Sequence, residues 1–267
     1  MRTPWLTALL VEPFYRLIYG RPLPASAATE ETAQRAGAPP HGGLVIVVSG
    51  VGGFDLTGTG LRYVMGAQNT HTAVEIFPWG HGFGRWLADL TNVSNRDAQA
   101  GILAQRIRRF KAGQPSHPVF LVAKSGGCGV AVRALEQLDE SSMERAVLLA
   151  PALSPSYDLT GALRAVRNDV VVFWSPCDIF ILGLGTAVFG TSDRVRCRSA
   201  GLVGFRTPPE CQAGDARGHP YSKLRQVRWE PPMVRAGNFG GHIGPDSPFF
   251  LKRYVAPLLR IDGSPHR

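Results

Sequence analysis

Runs of consecutive apolar, mostly β-branched residues alternate along this chain with stretches whose apolar positions recur at helical spacing. The continuous runs at 44–48 and 119–123 predict strands buried on both faces. Further strands are expected at 72–77, 145–149, 169–174 and 226–230. Residues 97–110 read as a helix, with Ala98, Ile102, Leu103, Ala104 and Ile107 on one face and Arg106, Arg108 and Arg109 on the other. Helices are also expected at 127–138 and, near the end, at 248–259. Strands that alternate with helices predict an α/β fold: a mostly parallel central sheet covered by helices on both faces.

Three regions break the rhythm. Residues 1–43 read as an amphipathic segment, Pro4 to Tyr19, followed by a linker rich in Pro, Ala and Thr. Pro13 would kink that segment, and it suits contact with the main domain or with a membrane surface. Residues 151–168 read as a loop with a short helix. Residues 179–224 are long, glycine-rich and partly apolar. They are expected either to cover the mouth of a site or to pack on themselves at the surface. The expected organisation is thus a segment 1–43 and a domain 44–267 with a cap-like insertion at about 179–224.

Composition narrows the classes. The chain has 267 residues, 44% hydrophobic and 18% charged, which suits one sizeable globular domain. The net charge of +9 comes mainly from scattered arginines, and no nucleic-acid motif accompanies them. Peripheral contact with an anionic membrane stays open. No apolar run approaches the length of a membrane span. Cys128, Cys177, Cys197 and Cys211 form no C-x-x-C pair, which argues against a structural zinc site. A bridge between Cys197 and Cys211 is left open.

The chemistry concentrates at three strand ends. The strand at 119–123 runs into Ala123-Lys124-Ser125-Gly126-Gly127 and then directly into a helix. A serine at such a strand–turn–helix junction is held with its hydroxyl exposed, and the residues two before and two after it must be small. A nucleophilic serine also needs a base, an orienting acid and oxyanion donors. The first strand ends in Ser49-Gly50-Val51-Gly52-Gly53. Its amides offer an oxyanion pair: the N–H of Val51, or Gly52 beside it, with the N–H of Gly126. Asp178 follows the strand that ends at Trp174. Asp158 is the rival acid, although Tyr157-Asp158-Leu159-Thr160 also reads as a helix start. His242 comes last, in Gly240-Gly241-His242-Ile243-Gly244. The stretch Trp79-Gly80-His81-Gly82-Phe83-Gly84 reads as a turn into a helix, with Trp79 and His81 near the pocket at most.

The order Ser125, Asp178, His242, with the glycine-rich loop after the first strand, resembles the α/β-hydrolase superfamily over about 44–259. There are two departures: Ser49 stands where many members have histidine, and Ala123 replaces the first glycine of the elbow. The resemblance implies Ser125 as nucleophile, His242 as base, Asp178 as orienting acid, and Val51 and Gly126 as oxyanion donors. It implies no cofactor or metal. The expected activity is hydrolysis of a carboxylic ester, with a lipid or other apolar acyl ester favoured by Ile179-Phe180-Ile181-Leu182 and Val188-Phe189. Acyl transfer or thioester cleavage by the same residues, and a non-catalytic binding protein on the same scaffold, remain alternatives.

Overall fold

The computed structural model describes residues 43–68, 72–212 and 218–260. The expected segment at 1–43 therefore lies almost wholly outside the described residues, as do His41, His71 and His266.

Among the described residues six strands form one sheet: β1 (Leu44–Val48), β2 (Ala73–Phe77), β3 (Val119–Lys124), β4 (Arg145–Leu149), β5 (Val170–Trp174) and β6 (Leu224–Arg228). Their spatial order is β2-β1-β3-β4-β5-β6, and every neighbouring pair is parallel. The most apolar runs occupy the middle. All five residues of β1 and all six of β3 are buried, whereas the edge strands β2 and β6 are half-exposed. Two apolar clusters cover the sheet. One joins Ile46, Val48 and Leu121 to Leu103, Ile107, Val130 and Leu135. The other joins Val45, Val47 and Phe120 to Leu61, Met65, Phe250 and Val255. This is the α/β architecture expected of an α/β-hydrolase core: a parallel sheet with helices on both faces.

The helices that matter for the site are α1 (Leu56–Ala67), α2 (Trp86–Thr91), α3 (Val93–Gly113), α4 (Gly127–Leu135) and α5 (Thr160–Ala165). The sequence reading assigns no element to α1, because its threonines and glycines are weak helix formers. Close packing compensates. A Cβ on Gly58 would lie 2.7 Å from the Ile76 side chain, so the glycine lets α1 approach β2. Helix α3 begins at Val93, earlier than expected, because the Asn92 side chain accepts from the Asn95 N–H at 2.9 Å and caps it. Its buried stripe is Ala100, Leu103, Ala104 and Ile107, while Ala98 and Ile102 are exposed. The helix is thus rotated from the expected face, and Ala100 with its neighbours at i+3, i+4 and i+7 defines the core side. Arg106 is not merely solvated: it pairs with Glu75 of β2 at 2.7 Å.

The last strand is shifted by two residues from its expected place. Leu224 pairs with Val170 and Arg228 with Trp174, and Pro231 and Pro232 end extended pairing beyond. Where it is described, the stretch 179–223 before it includes short turns of helix, among them Ile179–Gly185, Thr186–Phe189 and Ala200–Val203. Leu182 and Leu202 pack with Ala150 and Ala152 in a small separate core. Near the end of the chain, Pro248–Phe250, Leu251–Val255 and Ala256–Leu259 are consecutive helical turns in the place of the expected helix.

Candidate active site

Ser125 follows β3 directly and has φ of 52°, a left-handed conformation that costs an L-residue strain. Neighbours hold it there. Its N–H donates to Leu149 O at 2.9 Å, and its carbonyl accepts from Ala152 N–H and Cys128 N–H. A Cβ on Gly127 would overlap the carbonyl oxygens of Val48 and Ser49, so α4 can start against the end of β1 only with glycine at that position. Ala123 is fully buried and tolerates its methyl group. The departure from glycine at 123 is therefore absorbed, while 127 admits no side chain.

His242 Nε2 lies 2.9 Å from Ser125 Oγ, and its Nδ1 lies 2.6 Å from Asp178 Oδ2. The carboxylate can only accept, so Nδ1 carries the proton and Nε2 is left as acceptor for the serine hydroxyl. Asp178 is buried, with 3% of its side chain exposed, and His242 keeps 16%. The imidazole is thus reachable from outside while its partner acid is shielded.

The loop that carries His242 is built rather than slack. Asn238 is buried and its side chain accepts from Gly240 N–H at 2.9 Å. Trp229 Nε1–H donates to the Asn238 carbonyl at 2.9 Å. Gly240 takes a left-handed φ of 83°. Further along, Asp246 receives Lys124 Nζ at 2.6 Å, which ties the loop to the residue before Ser125.

Asp158, the rival acid, is engaged elsewhere. It is exposed and accepts from the N–H and hydroxyl of Thr160 at 2.9 and 2.6 Å, at the start of α5. The Thr160 side-chain bond, then its backbone bond, holds the Asp158 carboxyl below the usual aspartate range.

The β1 loop lies against the serine. A Cβ at Gly50 would sit 3.5 Å from Ser125 Cβ, and the Val51 side chain covers Gly126. Of the two loop amides open at the sequence level, Gly52 N–H is occupied: it donates to Asp89 Oδ2 at 2.7 Å. The amides of Val51 and Gly126 donate to no group among the described residues. Sequence reasoning missed Asp89. Its signal was weak, because an aspartate in the first turn of a short helix reads as ordinary. The stretch after Phe189 also reaches the elbow: Ser192 N–H donates to Ala152 O at 2.7 Å, and Ser192 packs over Gly129.

Exposed apolar side chains occur in four segments, at Phe54, at Phe83 and Trp86, at Phe180 and Phe189, and at Phe239 and Ile243. Phe54 and Phe83 meet at a tilt, with ring centroids 4.9 Å apart, and Trp86 meets Phe189 edge-on at 5.6 Å. Phe180, Phe239 and Ile243 are 82%, 72% and 70% exposed among the described residues. Among those residues no group of three or more His, Cys, Asp or Glu could hold a metal ion. No helix there is long and apolar enough to cross a membrane. All four cysteines are free thiols, so Cys197 and Cys211 are not bridged.

No protein-family model and no curated protein matches the chain. Among solved structures it is similar to a cutinase-like protein from Cryptococcus sp., at 15% identity and a TM-score of 0.41, covering 81% of this chain and 94% of that one. It is also similar to a putative hydrolase of the alpha/beta superfamily from Xanthomonas campestris pv. campestris, at 14% identity and a TM-score of 0.39, covering 80% and 99%. A third similar structure is Trichoderma reesei cutinase in complex with a phosphonate inhibitor, at 15% identity and a TM-score of 0.39, covering 96% and 97%.

Proposed function

We propose that this chain is a serine hydrolase that cleaves a carboxylic ester with an apolar acyl or alcohol part, a lipid ester among them. The observation that carries the reading is the continuous relay from Asp178 through His242 to Ser125 Oγ, at 2.6 and 2.9 Å, on a strained strand–helix turn.

In this reading His242 Nε2 takes the Ser125 proton as Oγ bonds to the ester carbonyl carbon. The carbonyl oxygen becomes an oxyanion that receives the N–H groups of Val51 and Gly126. Asp178 keeps the proton on Nδ1 and balances the imidazolium charge. The tetrahedral carbon then expels the alkoxide, which takes the proton from Nε2 and leaves as alcohol. Water repeats the sequence: His242 takes its proton, the hydroxide adds to the acyl carbon, and Ser125 leaves with the proton returned. The acid is released and the serine restored.

The apolar preference is supported by the exposed side chains of Phe54, Phe83, Trp86, Phe180, Phe189 and Ile243, the last beside His242 in sequence, which would shed water on meeting an apolar ester. The same exposed side chains suit peripheral contact with a lipid surface.

Intact-mass analysis after treatment with a fluorophosphonate tests the reading. A single adduct mapped to Ser125, and loss of p-nitrophenyl butyrate turnover in a folded Ser125→Ala variant, are expected. A folded wild-type protein that takes no label, or an active alanine variant, overturns it in favour of a non-catalytic scaffold.

A further inference from the structure

Helix α2 buries the wrong residue for a helix held by its apolar face. Trp86 and Leu87 are 46% and 45% exposed, while Asp89 is the one buried side chain of the helix. Burying a carboxylate is costly unless donors surround it. Three do. Gly52 N–H donates to Oδ2 at 2.7 Å, and the backbone N–H and Nδ1–H of His81 reach Oδ1 at 2.6 and 2.8 Å. Asn92 Nδ2–H in turn donates to His81 Nε2 at 3.2 Å, which keeps the imidazole proton on Nδ1. A Cβ on Gly80 would lie 2.8 Å from Asp89 Oδ2, so the carboxylate is enclosed against the backbone.

These bonds bear on one peptide group. The Gly50–Val51 peptide carries the Val51 N–H. The peptide before it is fixed by Trp79, whose Nε1–H donates to Ser49 O at 2.7 Å. The peptide after it is fixed by Asp89 through Gly52 N–H. The Gly52 carbonyl accepts from Gly84 N–H at 3.0 Å, and Gly52 itself holds a φ of 83°. With both flanking peptides pinned, the Val51 N–H has little freedom to turn.

We propose that Asp89, with Trp79 on the other side, is a positioning residue for the Val51 oxyanion donor, and that segment 79–92 is the support of that donor rather than a passive turn. This rests on the hydrolase reading above. A donor pre-aimed at the developing charge needs no reorganisation during reaction, which is where such donors act.

Asp89→Asn keeps the shape but puts an N–H where an acceptor is needed. With p-nitrophenyl butyrate the expected result is a fall in kcat of about tenfold or more with KM nearly unchanged, since only transition-state contact is lost. The second-order rate of fluorophosphonate labelling at Ser125 should fall in parallel, because the phosphonyl oxygen occupies the same place. A folded Asp89→Asn protein with kcat and labelling rate within twofold of wild type overturns the proposal. So does one whose KM rises while kcat holds. Should Asp89→Asn fail to fold, Trp79→Phe, which removes only the indole N–H, carries the same expectation, and an unchanged kcat there overturns it. Labelled wild type with unaffected variants sinks this proposal alone, whereas unlabelled wild type sinks the hydrolase reading beneath it.

Discussion

Lys124 and Asp246, 122 residues apart in sequence, form a buried ion pair at 2.6 Å directly beside Ser125. Only 6% and 9% of the two side chains are exposed, and the other oxygen of Asp246 accepts from the Thr57 hydroxyl. The pair joins the elbow to the loop of His242. Removing one partner leaves the other charge buried, so Lys124→Met or Asp246→Leu alone should lower stability by about 3–5 kcal/mol. The double variant should recover much of that loss. Urea denaturation of the three proteins measures it; a double variant as unstable as the sum of the singles would show that the charges are not coupled.

The two candidate acids should separate cleanly. In a Ser-His-Asp arrangement, replacing the acid by its amide lowers kcat by about 10⁴-fold. Asp178→Asn is expected to behave so, because Asp178 alone reaches His242 Nδ1. Asp158→Ala should leave kcat intact and cost about 1 kcal/mol through loss of its bonds to Thr160. Steady-state kinetics with thermal melts on both variants decide between them.

Glycine 127 should be the least tolerant position of the elbow. A methyl group there meets two main-chain carbonyls, which cannot move aside as a side chain can. Gly127→Ala should be destabilised towards the upper end of the ~1–3 kcal/mol typical of overpacking, or more. Ala123→Gly should fold and keep its labelling at Ser125. Denaturation midpoints and expression in soluble form provide the comparison.

Asp55 offers a pH signature. Burial raises its carboxyl above the ordinary 3.8, with the Ser49 hydroxyl and Arg62 opposing only in part. A folded-state value above the unfolded one favours folding when the group is protonated. Its contribution is therefore full below about 3.8 and is lost as pH rises through the folded value. Asp55→Asn should flatten that part of the stability profile, so the variant gains relative to wild type as pH rises across this window. Denaturation midpoints from pH ~4 upward test the sign; an unchanged slope would refute it.

The sheet was legible because its strands are short, apolar and bounded by turn residues. The runs at 44–48 and 145–149 coincide with β1 and β4. Helix α1 was not legible, since Thr57, Gly58, Thr59 and Gly60 suppress helical propensity and only tertiary packing against Ile76 explains them. The edge strand β6 was misplaced by two residues because its run Leu-Arg-Gln-Val-Arg continues into Trp229, whose N–H still donates to Trp174 O, and Glu230 before Pro231. At the site, local pattern singled out Ser125, Asp178 and His242, and the structure brings those three side chains together. Asp89 had no such pattern. Its significance comes from Gly52, 37 residues earlier, and no local spacing encodes that contact.

The parallel order of the sheet has a consequence for a chain made from its N-terminus. All six strands, Ser125 and Asp178 are present once residue 228 has been synthesised, yet His242 follows the last of them. A nascent polypeptide can therefore hold every strand of this sheet while still lacking the group that, in the proposed mechanism, activates the serine, and lacking Phe250, Leu251 and Val255, which cover one face of the sheet. Hydrolytic competence would then arrive as a late event of biosynthesis, after the sheet that must shelter it.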